Sequence, residues 1–99
     1  MVKLLALYRT PADIADFEAK YYNEHLPLAL KMPGLIKSEI TRLSALGPLS
    51  TKYFLQAELY FDSMDKLNEA MGSAEGKAAA KNLMSFAKDY TEMMVGEVI

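Results

Sequence analysis

Apolar residues run almost without a break from Val2 to Tyr8 and stop at Thr10-Pro11. A run this short, ended by a breaker, predicts a strand buried on both faces. Thr10-Pro11-Ala12-Asp13 then predicts a helix start. Thr10 is the cap, proline takes the first helical position, and an acidic residue sits near the positive end of the helix dipole. Ile14, Phe17, Tyr21 and Leu28 recur at helical spacing and are expected to face a sheet, with Asp16, Lys20 and Asn23 in water. Pro27 disfavours helical geometry at Leu26, so the helix is expected to loosen just after His25 and to leave that histidine near a helix C-terminus.

Met32-Pro33-Gly34 is turn chemistry, and Leu35 to Arg42 alternates loosely, as a water-exposed edge strand would. After the Leu46–Ser50 loop, Tyr53 to Phe61 alternates strictly. Leu55, Ala57, Leu59 and Phe61 share one face, and Phe54, Gln56, Glu58 and Tyr60 the other. Asp62-Ser63 starts a helix through Met64, Leu67 and Met71 that breaks at Gly72-Ser73 and resumes over Lys77–Lys88. Thr91 to Ile99, rich in β-branched residues, supplies a last strand. The order is β-α-β-β-α-β. With right-handed crossovers it predicts one α+β domain over residues 1–99, a ferredoxin-like fold. Its four-stranded antiparallel sheet has the first and third strands central and both helices on one face. The sheet's second face also carries large apolar groups, Leu5 and Leu7 beside Phe54 and Tyr60. Exposing them forgoes about 1.5–3 kcal/mol each, so a homodimer joined through the sheet faces is expected, closing a dimeric α+β barrel.

Composition narrows the chemistry. Hydrophobic residues are 52% and charged ones 24% of 99 residues, the profile of a folded domain with no membrane span. Eleven basic residues, scattered against thirteen acidic ones, give a net charge of −2 and no footprint for nucleic acid. The absence of cysteine removes thiolate nucleophiles and sulfur-based metal sites, and a single histidine removes motifs needing two imidazoles. No metal site or nucleotide loop is indicated, and no cofactor is expected. The apolar stretch near the start is shorter than a signal-peptide core, so a cytoplasmic location is expected.

Phe17-Glu18-Ala19-Lys20-Tyr21-Tyr22-Asn23-Glu24-His25-Leu26-Pro27-Leu28-Ala29, followed by Met32-Pro33-Gly34-Leu35, resembles the EthD family. Tyr60–Leu67, Ser73–Lys77, Asn82-Leu83, Phe86-Ala87 and Gly96-Glu97-Val98 extend the resemblance in the same order. Asn82 departs from the pattern, an aspartate being usual there. The resemblance implies the dimeric α+β barrel superfamily, whose relatives include cofactor-free cyclases, quinone-forming monooxygenases, isomerases and haem-binding enzymes. It also implies a nominal oxidoreductase label, inherited from a role in ether degradation beside an oxygenase system.

His25 is the one side chain whose ordinary pKa lies near neutrality, and Tyr22 and Glu18 share its face of an ideal helix. One reading makes His25 the acid–base group, oriented by Tyr22, Tyr60 and Glu58, acting on a small apolar or aromatic carbonyl compound. The other makes it a structural histidine fixing the helix exit. Tyr60, Glu58 and Gln56 form a polar line able to orient a ligand or to pair across strands, and Tyr8 ends the first strand within reach of a pocket mouth. Met64, Met71, Met84, Met93 and Met94 are expected either as an adaptable lining or as ordinary core. Three functions follow from these candidates. They are a cofactor-independent acid–base enzyme, a non-catalytic ligand-binding accessory dimer of an oxygenase, and a haem-linked monooxygenase with His25 as axial ligand.

Overall fold

In the computed structural model, which describes residues 1–99, the unbroken apolar run and the strictly alternating segment form the two central strands of the sheet. Strands β1 (Val2–Arg9), β2 (Lys37–Arg42), β3 (Tyr53–Phe61) and β4 (Thr91–Glu97) pair antiparallel in the order β2-β3-β1-β4. The two central strands are therefore the ones expected. Leu4, Ala6 and Tyr8 of β1 and Leu55, Ala57, Leu59 and Phe61 of β3 are buried beneath the helices. The sheet is α+β and ferredoxin-like, and no helix is long and apolar enough to cross a membrane.

The first helical segment departs from expectation at both ends. Thr10 does not cap it: its backbone N–H pairs with the Lys52 carbonyl at 3.0 Å, which keeps the chain extended. Asp13 is the cap, its carboxylate accepting from the Asp16 N–H at 3.0 Å, and α1 spans Ile14–Lys20. Beyond α1 the helix does not loosen at His25. It widens into a π-helical turn, Tyr21–His25, and continues through Pro27 as α2 (Leu26–Ala29). The Leu26 N–H reaches back five residues to the Tyr21 carbonyl. A proline has no N–H to give and its ring collides with the carbonyl four residues earlier, so a wider turn just before it relieves both defects. His25 thus lies inside a continuous helical path and not at a helix end.

The second helical region is broken where the sequence indicates. α3 (Met64–Gly72) is capped by Ser63, and α4 (Ala74–Ala87) by Ser73, whose hydroxyl accepts from Gly76 N–H at 3.0 Å while donating to the Ala70 carbonyl at 2.6 Å. α4 begins three residues earlier than expected, because Ser73 is already its cap. β2 begins at Lys37 and β4 ends at Glu97, each shorter than the alternation suggests.

Phe54 is the clearest misplacement by alternation. A bulge between β1 and β3 at Tyr8/Arg9 lets Phe54 turn to the helix side, where it meets Phe17 edge-on at 5.2 Å. The open face is consequently less apolar than expected. Leu5, Leu7 and Met94 lie there among Lys3, Glu58, Tyr60 and Gln56.

Candidate functional site

The widened turn decides which side chains meet. Tyr21 and His25 both point into the core, 1% and 7% exposed, with ring centroids 5.3 Å apart. Tyr8 rises from β1 to 5.3 Å from Tyr21 and 5.6 Å from Phe17. His25, at the end of this row of rings, lines a cavity of about 60 Å³ whose other walls are almost wholly apolar, with Leu4, Met32, Leu59 and Leu83 among them. A smaller cavity of about 20 Å³ has Tyr8, Tyr21, Ala57 and His25 in its wall.

His25 Nδ1 is buried with no hydrogen-bond partner. Burial pushes the imidazole below its ordinary pKa, opposed in part by the Ala79 backbone carbonyl against the ring, so it is neutral at pH 7. Burial, together with Tyr21, pushes the Tyr8 phenol up. Burial also raises Tyr21, to about 12, against the lowering effect of the Tyr8 hydroxyl. Both phenols therefore keep their protons at pH 7; Tyr8 donates its hydrogen bond to the Tyr21 oxygen, which leaves the Tyr21 hydroxyl free to donate. Buried polar groups are normally satisfied, so a lone imidazole nitrogen among apolar neighbours is the site's most informative atom. Asn82 Oδ1 is also buried without a partner, while its Nδ2 donates to Glu24 at 3.3 Å.

The remaining sequence candidates are dispersed. Glu18 makes two hydrogen bonds to Arg42, at 2.8 and 3.0 Å, and the guanidinium holds its carboxyl below the ordinary range. Tyr22 is half-buried, its ring 5.6 Å from and perpendicular to that of Tyr21. Neither is hydrogen-bonded to His25. Tyr8 is buried and lines the smaller cavity, so it does not stand at a solvent-facing mouth. Glu58 and Tyr60 lie on the opposite face of the sheet from His25. There Glu58 accepts from Lys3 at 2.6 Å, from Gln56 at 2.6 Å and from Tyr60 at 3.1 Å. Lys3 is the main cause of a lowered Glu58 pKa, and Glu39, 2.9 Å from the Tyr60 hydroxyl, leads in pushing that phenol up to about 12. Tyr21, which periodicity assigns to the core, is the phenol whose ring lies beside His25. The Leu26-Pro27 pair just after the turn was its only local signal.

A wider groove of about 250 Å³ beside Pro11 and Phe86 is open, and its ionic groups are already engaged: Asp13 caps α1 and Asp16 pairs with Lys20 at 3.1 Å. No three His, Asp or Glu side chains converge as a metal ion would need. A haem does not fit beside His25 either, since cofactor clefts run to about 300–1,000 Å³ and the cavity there holds about 60 Å³.

Comparison with known proteins agrees with this architecture. The crystal structure of an EthD family protein from Bacillus halodurans is 40% identical and superposes with a TM-score of 0.96, covering all of this chain and 99% of that one. SnoaB, a cofactor-independent oxygenase from Streptomyces nogalater, shares the fold at a TM-score of 0.70 and 13% identity, over 98% of this chain and 91% of that one. A dimeric ferredoxin-like protein of unknown function from Thermobifida fusca shares it at 0.72 and 15%, over 98% and 90% of the two chains. The latter two likenesses are of fold alone. The EthD domain model matches residues 9–89, from the end of β1 to just before β4, and the chain belongs to that family.

Proposed function

We propose that the protein is a cofactor-independent acid–base enzyme acting on a small, largely apolar carbonyl or aromatic compound, with His25 as the base. One observation carries this reading: a buried imidazole, neutral at pH 7 and with its Nδ1 unpartnered, belongs to the residue that lines an otherwise apolar cavity. In the proposed step the unprotonated nitrogen of the His25 imidazole takes a proton from an acidic C–H beside the carbonyl. The electron pair left behind moves onto the carbonyl oxygen, giving an enolate, and the proton stays on the imidazole. The enolate formed beside it offsets the cost of a buried imidazolium, and the Tyr21 phenol, which accepts from Tyr8, is the donor available to the new oxyanion. The fold shared with a cofactor-independent oxygenase is compatible with chemistry of this kind. The working form proposed is a homodimer through the open sheet faces, supported by the half-exposed Leu5 and Leu7 and by the dimeric protein of the same fold.

The test is a turnover screen over polyketide-like ketones, quinols and lactones with the wild type and His25→Gln. General-base chemistry of this size is worth about 10²–10⁴-fold, and a loss in that range is expected for the variant. The wild-type rate is expected to rise with pH through a pKa below 6.5 and to level off above it, because only the neutral ring can accept a proton. Tight ligand binding with no turnover in either protein would instead assign the accessory binding role.

A further inference from the structure

The cavity beside His25 is too small for the compounds that its chemistry would suit. An apolar cavity of about 150 Å³ takes up benzene. The two cavities here, about 60 and about 20 Å³, together fall well short of that. A ring-sized ligand therefore requires a wall to move. Leu4, His25, Ala29, Leu59 and Met93 line both cavities. Four of them are fixed: Leu4 and Leu59 belong to the central strands, His25 and Ala29 to the helical path beneath α4, and all four are under 9% exposed. Met93 differs. It sits on the edge strand β4, is 44% exposed, and lies opposite Ala6, whose methyl group leaves the thioether unpinned from that side. An unbranched methionine with three rotatable bonds is the side chain best suited to swing.

We infer that Met93 is the gate and size filter of the His25 cavity. Swung outward, it joins the two cavities to each other and to solvent, making a chamber for a single aromatic ring. Swung inward, it seals the imidazole in the dry environment that keeps it neutral. This rests on the reading of that cavity as the ligand site.

The test is direct binding of benzene and naphthalene to the full chain by ligand-observed NMR, with wild type, Met93→Ala and Met93→Phe, each first shown by circular dichroism to melt cooperatively. Wild type is expected to prefer benzene. Met93→Ala is expected to bind naphthalene about tenfold more tightly than wild type does, a shift of about 1.4 kcal/mol, and Met93→Phe to lose both ligands. Affinities for the two ligands unchanged within twofold in both variants would overturn the gate. Should Met93→Phe fail to fold, the change in size preference of Met93→Ala decides alone. Binding is read without turnover, so a flat pH–rate profile would remove the catalytic role of His25 while leaving the gate standing. An unshifted size preference would do the reverse.

Discussion

His25 is kept neutral by burial, and that has a consequence for stability as well as for chemistry. Its folded pKa lies below the ordinary 6.5, so the unfolded chain binds the proton more readily than the folded one. Stability is therefore full above pH 6.5 and falls as pH drops from there through the folded pKa. Urea unfolding between pH 5 and 8 should show this decline in the wild type, and His25→Gln should flatten it. Glu18, Glu58 and Glu92 do not confuse the measurement. Their carboxyls are held below the ordinary 4.5 by Arg42, by Lys3 and, for Glu92, chiefly by Tyr53 with Arg9, so their loss belongs to a more acid window. The residue pattern singles out His25 as a candidate but not the buried ring beside it. Tyr21 and Tyr22 stand four and three positions before it, both acceptable spacings on an ideal helix, and only the backbone's extra residue per turn selects Tyr21.

At the scale of elements, what could be read from the chain was what periodicity and capping chemistry specify. The order of strands and helices, the pairing of β1 with β3 and the break at Gly72-Ser73 each follow from local patterns repeated over several residues. The π-helical turn and the bulge that redirects Phe54 each depend on one inserted residue, which leaves an alternation or a helical stripe looking intact. Strict alternation puts Phe54 on the open face, and the bulge removes that apolar ring to the helix side. The helical break also contains a constraint that its composition hides. A Cβ at Gly76 would collide with the Ala70 carbonyl oxygen and lie 3.0 Å from Met71 Cα, so α4 can approach the end of α3 only with glycine there. Gly76→Ala should cost about 1–3 kcal/mol through this overpacking. Gly72→Ala, which meets nothing within 4 Å, should be neutral or stabilise by up to about 1 kcal/mol. Paired urea denaturation curves of the two variants check the contrast. Equal effects would mean that backbone entropy, not contact, governs this junction.

The whole molecule has one face covered by helices and one left open, and the size of the open face bears on whether a twin can close it. Strands about 4.8 Å apart, rising about 3.3 Å per residue, make a four-stranded face of roughly 20 by 25 Å, or about 500 Å² per copy. Two such faces bury about 1,000 Å², the lower limit for a specific interface, so the quality of the contact decides the outcome. In a two-fold pairing every contact occurs twice, and Leu5 and Leu7 of the central strand would meet near the axis, ringed by the Lys3–Glu58–Tyr60 network. A charge at that centre is expected to be decisive. Leu7→Asp places a carboxylate opposite Glu92 and Gln56, twice over in a dimer, while leaving the helix-covered core untouched. Light scattering at micromolar concentration should give twice the 11.0 kDa chain mass for the wild type and 11.0 kDa for Leu7→Asp. A wild type of single-chain mass would remove the dimer. Because His25 and Met93 lie on the other side of the sheet, benzene binding should survive in the monomeric variant. Loss of both together would mean that the twin subunit holds the cavity's walls in place.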